Sequence, residues 1–212
     1  TLLDNTLVNL FVMFEKDFWK SGVVGRPTIS LYEKGMNPRV TTAILAEDEK
    51  ALSSIETHEY TYSQEYFRHV PYNRFRLFFS PIAKKFVETI ELGSKPLNKV
   101  AHITTGVRSK TTQNQIISMT CEGPTWKKGI ISGSQVGEYS VEWKGHYINI
   151  HRDLLFAGGW NPTIIEKPKI MIRQTGDSII AGIDLNNLYH LNNVHSLHLV
   201  DPSVSLSYIC VL

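Results

Sequence analysis

The run from Arg108 to Gln115 carries the side chains best suited to recognising another molecule: two cations with Ser109, Thr111, Thr112, Gln113, Asn114 and Gln115, and no apolar residue. Arg108 and Lys110 suit phosphates or guanine edges. Gln113, Asn114 and Gln115 suit bidentate contacts to adenine, and Thr112 adds a hydroxyl. The same composition would also serve a loop that faces only water. Trp126-Lys127-Lys128 is a second candidate, because lysines beside an exposed aromatic can reach phosphate and sugar; a core position for Trp126 is the alternative. Lys169, Arg173 and Gln174 form a third group. Lys169 is expected at a phosphate and Arg173 and Gln174 near DNA, while Gly176 and Asp177 read as a turn.

Residues for catalysis are not assembled in the same way. None of the 14 glycines forms a Gly-x-Gly pair of the kind that lets backbone approach a nucleotide-like cofactor. There is no Walker-type loop and no Gly-x-Ser-x-Gly elbow. Asn37-Pro38 and Asn161-Pro162 lack the second proline and aromatic of an adenine-flipping loop and read as turns. Glu142-Trp143-Lys144 could be half of a nuclease metal site, with a carboxylate on the metal and a lysine polarising water. So short a motif often arises by chance, and a surface pair on one face of a strand is the stronger reading. His190, His195 and His198 lie close together, but without cysteines at metal-ligand spacing they do not suggest zinc. Cys121 and Cys210 read as reduced thiols of a cytoplasmic protein.

Charge separates the chain into parts. Residues 95–175 hold 11 Lys/Arg against 5 Asp/Glu, a net +6, whereas residues 1–94 hold 11 against 12 and residues 176–212 hold three Asp and no cation. A basic middle suits a polyanion, since cations release counterions from phosphates on binding. With 42% apolar and 20% charged residues the chain can build a core, and it has no apolar run long enough to span a membrane. It opens without Met or a basic leader and ends in an apolar run, so both ends read as cuts through a longer protein.

The elements that must position these residues follow from period and punctuation. Leu7–Val12 is a buried-strand candidate, Thr28–Lys34 alternates as a strand, and Val40–Leu45 is another strand candidate. Between the first two, Asp17 to Val24 brings aromatics to a loop. Glu47 to Ile55 suggests a short acidic helix. An aromatic connector from Tyr60 to Phe79 is expected to pack between two domains. Ser80, Pro81 and the four-residue repeat Ile82, Phe86, Ile90 specify a helix over 81–92, stopped by Gly93. Beyond it, short strands alternate with turns. Hairpins are expected for 138–143 with 146–150 and for 169–173 with 178–183, a further strand at 197–200, and a helix opening at Asp201-Pro202.

Several segments together resemble the C-terminal specificity domain of TaqI-like N6-adenine DNA methyltransferases, also found in fused type IIG restriction-modification enzymes. Leu97 to Val107 resembles the opening segment of that domain, Ile131 to Tyr139 its Gly-x-x-Ile/Val-x-x-Tyr stretch, and Glu166 to Ala181, with Lys-Pro-Lys-Ile and Arg-Gln-Thr-Gly-Asp, is the sharpest match. Asn5 to Lys34, including Phe18 to Val23, resembles the last strands of the methyltransferase domain. The polar run 108–115 departs from the shorter Gly/Asn-rich stretch of relatives.

The resemblance implies an α/β remnant, the end of a Rossmann-like methyltransferase sheet, over 1–79, followed by an α+β, strand-rich DNA specificity domain over 80–212. It implies double-stranded DNA and the chain's own upstream methyltransferase domain as partners. S-adenosylmethionine belongs to the parent enzyme and not to this segment, which holds no catalytic residue and no metal. A metal-dependent nuclease fragment using Glu142 and Lys144, and a protein-interaction module, stand as alternatives.

Overall fold

A computed structural model describes residues 2–16, 27–35, 40–53, 58–70, 74–77, 80–156, 161–176 and 178–212. The aromatic loop from Asp17, the Phe18–Val23 segment, Asn37-Pro38 and Asp177 lie outside them. The chain divides into two compact units, Thr1–Gly93 and Ser94–Leu212, so the helix after Ser80 belongs to the first.

The first unit is built on β1 (Thr6–Phe14), β2 (Thr28–Lys34), β3 (Val40–Ala46) and β4 (His58–Ser63), in the order β2-β1-β3-β4. β1 is apolar almost throughout and runs parallel to β3, while β2 and β4 join antiparallel at the two edges. Its register slips between Val8 and Leu10. There the buried Gln64 accepts from Val8 N at 3.1 Å and donates to Thr6 O at 2.7 Å, and Thr41 Oγ1 donates to Val8 O at 2.7 Å. Side chains thus satisfy backbone groups that the interrupted ladder leaves open.

Of the aromatics expected to pack between domains, Tyr60, Tyr62, Tyr66, Phe67 and Phe75 pack in this unit's own core, and Tyr72, Phe78 and Phe79 lie outside the described residues. Phe11, Tyr62, Phe67 and Phe75 interlock, with Phe11 and Phe75 ring centroids 4.9 Å apart. Part of the predicted acidic helix is a single 3-10 turn, Ala51–Ser53. The helix Pro81–Gly93 forms where Ser80 and Pro81 place it, Lys84 N donating to Ser80 O at 3.1 Å. Its Ile82, Phe86 and Ile90 stripe is exposed, so local propensity and capping carry it more than burial does.

The second unit is strand-rich, with short helices, and has an α+β character. β5 (Ala101–Thr105) begins it. β6 (Ile117–Ser118), β7 (Trp126–Ile130), β8 (Val136–Gly137), β9 (Ser140–Val141) and β10 (Tyr147–Asn149) follow. β11 (Lys169–Arg173), β12 (Ala181–Asp184), β13 (Tyr189–His190) and β14 (Val194–Leu199) complete it. They form sheets β12-β11-β14-β5 and β13-β7-β10-β6 and the ribbon β8-β9. Val107, Ile116, Ile148, Leu155, Ile165, Tyr189 and Leu191 make one core cluster. Ile130, Val136, Met171, Leu188 and Val194 make a second.

The hairpin expected for 169–183 forms, with Lys169 opposite Asp184 and Ile172 opposite Ala181. The hairpin expected for 138–150 does not. β9 turns back on β8 through Tyr139, held at φ 62, whose N donates to Ala181 O at 2.7 Å. β9 also crosses β12 so closely that a Cβ on Gly182 would lie 2.2 Å from Ser140 O. β10 then pairs with β7 and β6 instead. The C-terminal helix also starts later than expected, at Leu206, capped by Ser205. Asp201 is used in a turn, accepting from Ser203 N and Oγ.

Candidate nucleic-acid interface

The Arg108–Gln115 run is pinned at both ends by core residues: Val107 and Ile116 are fully buried. Its first half lies beside 154–156 as a short antiparallel ladder. Phe156 N donates to Arg108 O at 3.0 Å, Lys110 N donates to Leu154 O at 2.9 Å, and Ser109 bridges Leu155. Its entrance is tight: a Cβ on Gly106 would lie 2.2 to 2.4 Å from His190 O, Leu191 O and His190 Nδ1. Only glycine lets the two backbones meet there.

The turn Leu191–Asn193 ties several loops to one end of the unit. Val107 N donates to His190 O at 2.9 Å and Asn192 N to Val107 O at 3.1 Å. Gln113 Nε2 donates to Asn192 Oδ1 at 2.8 Å, and Asn193 Nδ2 to Ile131 O at 3.0 Å. Gln174 N donates to Asn193 O at 3.3 Å, which brings the end of β11 to the same turn. Two of the three predicted groups therefore share an anchor. Asn192 and Asn193 were not singled out in the sequence, although an Asn pair between two strands is a turn signal.

Within this cluster Arg108, Lys110, Thr112, Asn114, Gln115 and Gln174 are exposed, with Gln115 accepting a short hydrogen bond from Thr111. Gln113 and Arg173 are half-buried and already engaged. Arg173 Nε donates to Val136 O at 2.6 Å and so braces the turn at β8. Lys127 is half-buried and Lys128 exposed, its ammonium 4.6 Å from the Trp143 ring centroid. The aromatic partner of Lys128 is therefore Trp143, from the loop before β10, rather than its sequence neighbour Trp126. Trp143 in turn meets Tyr147 edge-on, with centroids 5.5 Å apart.

Lys169 does not fit the phosphate contact expected of it. Its side chain is fully buried, and Nζ donates to Asp184 Oδ2 at 2.6 Å and Ile165 O at 2.8 Å. Asp184 also accepts from Asn186 N and Leu188 N. The pair thus joins the end of the Pro162–Ile165 helix to the turn after β12, and no surface remains for a ligand. Burial pulls the Lys169 pKa down, against the raising effect of Asp184. Burial first, and then the hydrogen bond it donates to Glu166 at 2.8 Å, raise the pKa of Tyr189.

Burial also sets the histidines. His190 and His198 are each pushed down to about 4, mainly by desolvation, so both are neutral core groups at physiological pH. Glu142 and Lys144 are exposed and face each other at 3.6 Å. Among the described residues no group of three His, Cys, Asp or Glu is placed to hold a metal ion. No helix among them is long and apolar enough to cross a membrane. A groove of about 530 Å³ between Leu97, Tyr139, Ile172, Ile179, Leu197 and Val211 is chiefly apolar.

The second unit thus combines a strand-rich scaffold with loops that expose Arg108, Lys110, Lys128 and the amides of Asn114, Gln115 and Gln174. Residues 128–212 match the family model of the TaqI-like C-terminal specificity domain. The match lies wholly within the second unit and runs from β7 through the C-terminal helix. It supports a DNA sequence-specificity module of the restriction-modification type. No curated protein matches the chain.

Proposed function

We propose that this chain is the target-recognition segment of a site-specific adenine-N6 DNA methyltransferase, of the type IIG class, acting in the cytoplasm within a restriction-modification system. The family match over 128–212 carries the reading, and the loop cluster tied to Leu191–Asn193 supports it. Arg108, Lys110 and Lys128 anchor duplex phosphates, which fixes position without reading sequence. Thr112, Asn114, Gln115 and Gln174 then meet base edges, where amides pair with adenine. Gln113 and Arg173 act from behind by holding the loops in register.

The methyltransferase domain expected upstream in the parent flips the target base out of the stack. S-adenosylmethionine supplies the methyl group when bound there. This chain has no Gly-x-Gly loop to cradle it, so no step runs through the cofactor here.

Fluorescence anisotropy on a labelled duplex across a salt series tests the reading. Each phosphate contact contributes about 0.9 to the slope of log affinity against log salt, so Arg108→Ala with Lys110→Ala should flatten it by about 2. An unchanged slope and affinity in the double variant would refute the loop assignment.

A further inference from the structure

We infer that Phe156 stacks on a DNA base, with Arg108 holding its ring and the adjoining phosphate; the inference rests on the DNA-binding reading above. In the 108–110/154–156 ladder, the central pair points inward: Ser109 is 4% exposed and Leu155 2%. On either side of that bridge Arg108, Lys110 and Phe156 are exposed, whereas Leu154, the last residue of a 3-10 turn, packs against the core. Phe156 leaves 47% of its surface in water at the rim of a polar loop.

The Arg108 guanidinium lies 5.2 Å from the Phe156 ring centroid. A cation held over one face restricts the ring and leaves the opposite face as the one for a base, with guanidinium N–H groups for an anion. The surroundings favour a polyanion. No Asp or Glu occurs from Leu92 to Cys121, and four residues before Phe156 the exposed Arg152 is followed by the exposed Asp153. An apolar protein partner would have to bury the Arg108 guanidinium that sits on the ring, whereas nucleic acid supplies both an aromatic face and the negative charge. Exposed aromatics among cations stack on bases with little regard to sequence, or wedge between base steps.

A stacking residue gains most where the base is already loosely paired. The test measures anisotropy of the 212-residue chain on two labelled duplexes that differ only by a central mismatch. Wild type should prefer the mismatched duplex. Phe156→Ala should lose about tenfold in affinity for it, within the roughly five- to hundredfold range of aromatic–base stacking, and should lose the preference with an unchanged salt slope. Phe156→Trp should retain both. Arg108→Ala should flatten the salt slope by about 1.

Phe156→Gln and a thermal melt guard against a folding defect in the alanine variant. Should the Phe156 variants bind both duplexes as wild type does while Arg108→Ala weakens binding, stacking is overturned and the DNA-binding reading stands. Should the folded wild type bind neither duplex, both fall together.

Discussion

Replacing Lys169 with Met should cost stability and leave the intrinsic DNA contacts alone. The ammonium has no solvent access and is held by Asp184 Oδ2 at 2.6 Å and Ile165 O at 2.8 Å. Removing it strands a buried carboxylate that keeps only the Asn186 and Leu188 amides as donors. Breaking one side of a buried pair costs about 3–5 kcal/mol, a large part of the roughly 5–15 kcal/mol that holds a domain together. Asp184→Asn should cost about 3 kcal/mol for the converse reason, an ammonium left with carbonyls only. The double variant removes both charges, so its cost should fall short of the sum by at least about 2 kcal/mol. Urea denaturation of the four proteins gives the coupling, and anisotropy under conditions where each is folded gives DNA affinity. Strict additivity would refute the pairing. So would a Lys169→Met protein that melts as wild type yet flattens the salt dependence of binding, because that is the behaviour of a phosphate contact.

Acid should unfold the second unit through its histidines. The folded pKa of His190 lies at about 4, below the ordinary 6.5, so the unfolded chain binds the extra proton first. The stabilisation is complete above pH 6.5 and is lost as pH falls towards 4. At 1.36 kcal/mol per unit it amounts to about 3 kcal/mol, and His198 shifts in the same direction. His190→Gln should flatten this part of the urea-measured pH profile, and an unaltered profile would count against the assignment. Gly106→Ala should cost about 2–3 kcal/mol, because the clash is with backbone carbonyls that cannot rotate away. Chemical denaturation reads that loss, and a variant as stable as wild type would mean the close approach is not needed.

Local rules carried the elements whose determinants are local. The apolar run of β1, the capped helix at Pro81 and the hairpin of β11 and β12 follow from period and turn residues alone. The exposure of Arg108, Lys110 and Asn114 likewise follows from a run with nothing to bury. What failed depends on partners distant in sequence. The 138–150 stretch has a good hairpin pattern, but Gly182 admits β9 across β12 and the ladder is lost to it. Lys169 looked like a surface cation because its neutralising Asp184 is fifteen residues away. The aromatic beside Lys128 comes from the loop between β9 and β10, and the ring beside Arg108 comes from the 154–156 segment. Nothing near Arg108 in sequence announces either the ladder or the Asn192 anchor.

The attachment of the 107–110 segment has an evolutionary corollary. It is fastened through main-chain groups, at His190, Asn192, Leu154 and Phe156, while the exposed side chains of Thr112 and Asn114 further along the loop take no part in those bonds. On the DNA-binding reading proposed above, exchanging Thr112 and Asn114 alters what the loop reads without disturbing what holds it. A lineage under pressure to change its target word can therefore rewrite letters at these positions while the scaffold stays as it is.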